Sequence, residues 1–203
     1  MTCAKRQGDL AVVLVNVHDP HNISAVLRSC DAVGVQSVYV AYTDENLSRE
    51  RLRLGRKSSA SAWKWVDVYY FESLDECLSA VRAKYKRILA THLGKKTQSL
   101  YAMDLTVPTA LMFGNEHSGL SPEALANADA DIFIPQMGMI RSLNISVACA
   151  VSLYEAMRQR QAQGYYDLNP TLTDLETQQL VDEFVSRHVS RQKRKTVPKK
   201  PAT

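Results

Sequence analysis

Apolar residues in this chain come in short unbroken runs rich in β-branched side chains, and between the runs the pattern shifts to helical spacing or to polar turns. AVVLVNV (11–17), SVYVAY (37–42), WKWVDVYY (63–70), RILATHL (87–93), TALMFG (109–114) and DIFIP (131–135) are each of strand length. The most apolar of them lack the alternation of a half-exposed strand, as expected of strands covered on both faces. A helix is predicted after the first run, with Asn22 or Ser24 as its cap and Gly34 closing it in left-handed geometry. A second is predicted over Leu74–Tyr85, and Ser121-Pro122-Glu123 joins a cap serine, a first-turn proline and an early acid into a strong helix start. The last long helix is expected over Ser146–Gln163, ending near Gly164, with DLETQQLVDEFVSRH (174–188) as one more amphipathic helix. Strands alternating with helices predict an α/β fold, a mostly parallel sheet with helices on both faces.

A chain of 203 residues suits one well-buried domain, here expected over 1–167, with a C-terminal helix and basic RNA-binding tail over 168–203. The formal net charge is +4, yet seven basic residues follow from Arg187 onward with no acid among them. Without those seven, the body is slightly acidic. A basic terminal run with Ser, Pro and Thr is either a solvated tail or a surface for a polyanion such as RNA. The second cluster, Arg49, Arg51, Arg53, Arg56 and Lys57, favours RNA; with Arg191, Lys193, Arg194 and Lys195 it forms the expected RNA-binding set. The four cysteines are scattered without a C-x-x-C pair, and neither a signal-like segment nor an apolar run of spanning length is present. A soluble, cytoplasmic protein without membrane association is expected.

Three segments carry the candidate chemistry: HDPHNISAVLRSCDAVG (18–34), LMFGNEHSGLS (111–121) and IPQMGMIRSLNISVA (134–148). Each is placed where a buried strand gives way to a helix, and open α/β sheets gather ligands at such ends. Neither G-x-G-x-x-G after the first strand nor G-x-x-x-x-G-K-[ST] is present, which disfavours a standard dinucleotide or P-loop site. Gly114 to Gly119 reads either as a main-chain ligand cradle with one carboxylate or as an ordinary turn before a capped helix. Likewise Ser142, Asn144 and Ser146 fit both helix initiation and the polar rim of an apolar pocket, and periodicity does not choose. His18, Asp19 and His21 fall short of a zinc set because no other His or Cys cluster completes it, so no metal is expected.

NISAVLRSCDAVG (22–34), FGNEHSG (113–119) and residues 134–148 resemble, in order and separation, the three motifs of the SpoU branch of the SPOUT RNA methyltransferases. The similarity covers roughly residues 7–165 and lies nearest the enzymes that methylate the ribose of the D-loop guanosine, position 18, of tRNA. VNVHDPHN and SLYEAMRQRQAQGYYD add to it. The resemblance implies a C-terminal deep trefoil knot, S-adenosyl-L-methionine (AdoMet) held in the knot loops, a homodimer, and tRNA as partner. It also implies that Thr91, Gly114, Ile134 and Leu143 hold the cofactor, largely through backbone, and that Asn22, Arg28, Glu116, Ser142 and Asn144 are the catalytic and substrate-positioning set.

The implied reaction is an in-line transfer of the sulfonium methyl to a ribose 2'-hydroxyl. Arg28 would serve either as base or as phosphate clamp; a guanidinium, with a pKa above about 12, ordinarily stays protonated and is suited to the second role. Glu116 is expected to orient Arg28 or to bind a base or ribose edge, and Asn144 to fix Arg28 or the cofactor carboxylate. Asn22 either pairs with Glu116 across the site or caps its helix.

Overall fold

The computed structural model describes residues 2–43, 62–94 and 96–196, with side chains to Val189. β1 (Gln7–Val15) is central because residues 10–14 present an unbroken apolar run that both faces of the sheet can bury; each of them is fully inaccessible. β2 (Val35–Ala41) and β3 (Asp67–Phe71) lie to one side of it. On the other side come β6 (Thr109–Phe113), β4 (Arg87–Thr91), β7 (Ala130–Phe133) and the two-residue β5 (Gln98–Ser99), for the order 3-2-1-6-4-7-5. Every pairing is parallel, with Val12 opposite Val38 on one flank and opposite Leu111 on the other.

Alternate residues of β1 feed two separate cores. Leu10, Val12 and Leu14 pack with Ile23, Leu27 and Cys30 of α1 (Pro20–Val33) and with Cys149 and Leu153 of α4 (Ile145–Ala162). Ala11, Val13 and Val15 face Cys77, Leu78 and Val81 of α2 (Leu74–Arg82) and Ala124 of α3 (Pro122–Ala126). At roughly 1.5–3 kcal/mol for each large aliphatic side chain buried, these two layers hold the sheet in register. Burial pushes the Cys77 thiol up to about 12, as suits a packing residue rather than a nucleophile.

α4 is further fixed at its far end by Arg160, a fully buried guanidinium that donates to Leu105 O at 2.9 Å, Gln7 Oε1 at 3.1 Å and Val107 O at 3.2 Å, and pairs with Asp9. A buried cation with these partners is tolerated, and losing one of them would leave charge uncompensated. The result is a rigid α4 whose N-terminus is held at the carboxyl end of the sheet.

α5 (Asp174–Thr196) is docked, not trailing. Leu180 is buried; the Phe184 ring meets Trp65 edge-on at 5.1 Å, and the guanidiniums of Arg6 and Arg187 approach it at 5.5 and 5.7 Å. Arg187 also pairs with Asp67 and Glu183 and donates to Lys64 O at 2.9 Å.

Several expectations are corrected. The segment 63–70 is not one strand: a 3-10 turn occupies Ala62–Lys64 and the strand begins only at Asp67, because the turn lets Ala62 and Val66 point into the same core. The first helix is capped by Asp19, whose side chain accepts from His21 N at 2.8 Å with Pro20 in the first turn; Asn22 and Ser24 are inside the helix. Ser142 caps nothing, since Asn144 takes that position for α4. The strong start at Ser121 leads to a helix of only five residues. Gly34 does close α1 with φ 85°. Among the described residues no helix is long and apolar enough to cross a membrane.

Candidate active site

Strand direction brings the turns after β1, β4, β6 and β7 to one end of the sheet. The order changes direction at the β1–β6 boundary, the crevice where parallel sheets bind ligands. A cleft of about 600 Å³ opens beside it, within the usual range for a small-molecule site. Its wall is apolar, from Phe113, Ile132, Ile134, Leu143 and Ala148, and its rim polar, from Glu116, Arg141, Ser142 and Asn144.

The loop after β6 is built on Gly114. A Cβ there would lie 2.3 Å from the Gly119 carbonyl carbon and 2.5 Å from the Leu120 nitrogen, so the returning backbone leaves room for hydrogen only. Asn115 and Gly119 exchange backbone hydrogen bonds of 3.0 and 2.9 Å, and Gly119 takes a left-handed φ of 68°. Asn115 Oδ1 accepts from the backbone N–H groups of His117 and Ser118, while its Nδ2 donates to Asn16 O at 2.8 Å. That last bond ties the loop to the end of β1, where Asn16 has a φ of 53° and is itself held by Thr43.

Glu116 is thereby presented to α1. Asn22 Nδ2 donates to Glu116 Oε1 at 2.8 Å, and the His18 N–H reaches Oε2 at 3.5 Å. The Asn22 Oδ1 accepts from Asn144 Nδ2 at 3.1 Å, and Asn144 Oδ1 accepts from both the N–H and the hydroxyl of Ser146, at 2.9 and 2.6 Å. A carboxylate accepts only, so it sets the orientation of the Asn22 amide, which sets that of Asn144, which caps α4. One directed series of hydrogen bonds thus joins the segments that follow β1, β6 and β7. On the floor, Thr91 Oγ1 donates to Met112 O at 3.1 Å and locks the ends of β4 and β6 together.

Of the residues singled out from sequence, Thr91, Gly114, Ile134, Leu143, Glu116, Ser142 and Asn144 all line the cleft, and Asn22 joins them through Glu116 and Asn144. Arg28 does not. It is exposed on α1, about 9 Å along the axis from Asn22, and makes no hydrogen bond or ion pair with any described residue. Of the alternatives for Glu116 and Asn144, the contact with Arg28 is therefore corrected, since both engage Asn22; the Asn22–Glu116 pair is one of the two arrangements expected for Asn22. Asn16 and Asn115, which lock the glycine loop, were not singled out; the sequence signal was an asparagine just after a strand and another just after Gly114.

Arg49, Arg51, Arg53, Arg56 and Lys57 lie outside the described residues. Arg191, Lys193, Arg194 and Lys195 ride on the last turns of α5, and their side chains lie outside them too. No group of three or more His, Cys, Asp or Glu side chains gathers as a metal site would require, among the described residues.

Residues 9–154 match the SpoU rRNA methylase family. The chain is 41% identical over 181 residues to a tRNA (guanosine(18)-2'-O)-methyltransferase of Escherichia coli, covering 89% of this chain and 77% of that protein. Its fold is similar to that of the TrmH/SpoU tRNA modifying enzyme of Aquifex aeolicus, with a TM-score of 0.82 and 36% identity over 93% of each chain. The SpoU methyltransferase AviRb of Streptomyces viridochromogenes, solved in complex with AdoMet, superposes with a TM-score of 0.68 at 28% identity, over 77% of this chain and 62% of that one.

Proposed function

The chain belongs to the SpoU methylase family, and from that membership together with the cleft we propose that it methylates the ribose 2'-hydroxyl of guanosine 18 in tRNA, using AdoMet. The observation that carries the reading is the Glu116–Asn22–Asn144 series, which sets a fixed polar edge on an apolar, nucleoside-sized cleft. The cleft fits AdoMet: the Gly114 turn, packed too tightly for a side chain, holds its backbone fixed along the cleft, and Ile134 and Leu143 offer an apolar wall to a purine. Thr91, Gly114, Ile134 and Leu143 would hold it, and it supplies the electrophilic methyl group.

The chain's own residues align the acceptor. The transfer would form an O–C bond at the 2'-oxygen and break the cofactor's S–C bond, with the bonding pair staying on sulfur as a neutral thioether and the hydroxyl proton passing to solvent water at the open rim. Glu116, with Oε1 committed to Asn22, keeps a lone-pair face for a ribose or base donor; Ser142, exposed on the rim, adds a hydroxyl. Positioning of this kind supplies much of a barrier reduction without a strong base. Arg28 acts as a clamp on a phosphate rather than as the base, since it sits outside the cleft.

A homodimer belongs to the same proposal. Met137, Met139, Ile140, Val147 and Tyr154 are all exposed, at 47 to 99%, in the loop before α4 and on α4 itself. Clustered exposed apolar side chains mark an interface. Arg28 is exposed on the neighbouring α1, so pairing through this layer brings its charge to bound RNA. Residues 1–167, with the knotted threading of the site loops, form the catalytic body, and 168–203 with the 49–57 cluster grip tRNA in the cytoplasm.

The test is transfer of labelled methyl from AdoMet to unmodified total tRNA and, in parallel, to ribosomal RNA. Label confined to tRNA supports the proposal; label in ribosomal RNA alone keeps the chemistry and replaces the substrate.

A further inference from the structure

One cation on the cleft has no role in the chemistry described above. Arg141 precedes Ser142 in the loop between β7 and α4, lines the cleft, and is exposed. Gln136 Nε2 donates to the Arg141 carbonyl oxygen at 3.3 Å, so the loop is closed on itself at this residue. The Arg141 guanidinium makes no hydrogen bond or ion pair with any described residue. Glu116 is the only carboxylate among the described residues that line the cleft, and it is already turned toward Asn22 and the His18 N–H. A guanidinium at a rim with no counter-ion of its own is suited to an anion from outside the protein.

Resting on the assignment of an RNA ribose as acceptor, we infer that Arg141 is a substrate-binding residue that grips a phosphate flanking the reacting nucleotide. Two N–H groups of its planar fork bond two phosphate oxygens. The alternative anion, the cofactor's carboxylate, is disfavoured by position: three of the four expected cofactor contacts, Thr91, Gly114 and Ile134 at the strand ends, are half-buried and only Leu143 is exposed, whereas Arg141 sits on the exposed rim. A polyanion arriving from solvent meets Arg141 first. The fork geometry also sets Arg apart from Lys, which offers charge without two parallel bonds. Because Arg141 adjoins Ser142 and Leu143, a phosphate held there fixes the register of the adjacent ribose over the cleft.

The experiment compares the wild type, Arg141→Gln and Arg141→Lys on an unmodified tRNA transcript across a salt series, with AdoMet affinity by calorimetry and mass by light scattering. For Arg141→Gln the expected result is a KM for tRNA raised about tenfold or more and a slope of log KM against log salt smaller by about one phosphate contact. AdoMet affinity and oligomeric mass stay as in the wild type. Arg141→Lys restores the salt slope and only part of the KM. An unchanged tRNA KM and slope in Arg141→Gln overturns the inference, as does a loss confined to AdoMet affinity or a change in mass. A wild type that methylates no tRNA removes the proposed function itself, and this inference with it.

Discussion

Asn22 bonds Glu116 and Asn144 with opposite ends of one amide: Nδ2 donates to Glu116 Oε1 at 2.8 Å, and Oδ1 accepts from Asn144 Nδ2 at 3.1 Å. Asn22→Asp keeps the shape, loses the donor, and sets two carboxylates against each other. With one charge-assisted hydrogen bond lost and its partner left repelled, on the order of 3 kcal/mol, single-turnover methylation should slow roughly 100-fold. AdoMet affinity, measured by calorimetry, should change less than threefold. Asn22→Ala should be the milder variant, and the reverse order would show that amide polarity is not what matters.

Glu116→Gln offers a graded test. Its amide oxygen can still face Asn22, but its NH₂ then faces the His18 N–H, donor against donor. Expected is a loss of about tenfold in kcat, against about 100-fold for Glu116→Ala. Equal losses in the two would point to a role for the negative charge itself.

Gly114→Ala places a methyl 2.3 Å from the Gly119 backbone, which cannot move without breaking the Asn115–Gly119 pair. AdoMet binding should fall beyond detection by calorimetry while far-UV circular dichroism stays that of the wild type. Gly138→Ala, in the loop before α4, meets nothing within 4 Å and should bind AdoMet normally.

Phe184→Ala removes the ring that meets Trp65 and the two guanidiniums at the α5 dock. Such truncations cost roughly 3–5 kcal/mol when fully buried, and less at a partly open dock. Expected is a clear drop in Tm and weaker tRNA binding by gel shift, with AdoMet affinity retained. Retained tRNA affinity would mean that α5 need not be docked to serve RNA.

Asp129 is held below the ordinary carboxylate range. Burial alone would raise it, but the hydrogen bond from Arg82, the Ile88 N–H at 2.6 Å, and the charges of Arg82 and Arg87 together prevail. A depressed folded-state value means stability present above the ordinary Asp pKa of about 3.9 and lost as pH falls through the lower folded value. Asp129→Asn should therefore lower Tm at pH 7 and flatten its fall below about pH 4; an unaltered profile would show that other carboxylates govern acid unfolding.

What was legible in the sequence follows from what each signal measures. Runs such as 109–114 identified buried strands because burial on both faces demands unbroken apolar residues, and Gly34 announced a helix end because its φ of 85° excludes most others. Local pattern did not separate Trp63 and Trp65 in a turn from the same residues in a strand, since both conformations bury aromatic side chains. A two-residue strand such as β5 carries too few positions for any period. At the site, the residue types were readable, and so was one of two alternatives for Asn22, its pairing with Glu116, 94 positions away; Asp19 takes the cap that was the other. The Asn22–Asn144 bond was not readable, since nothing local to either residue marks it. Arg28 shows the converse: its motif position suggested a cleft residue, and the helix turns it to solvent.

The most direct measurement of the central claim uses two tRNA transcripts that differ only at nucleotide 18, one with guanosine and one with 2'-deoxyguanosine, incubated with the protein and labelled AdoMet. The account predicts label in the first, recovered on digestion as 2'-O-methylguanosine, and none in the second. Equal labelling of both would contradict it, because the methyl group would then be going to an atom other than the 2'-oxygen of that ribose.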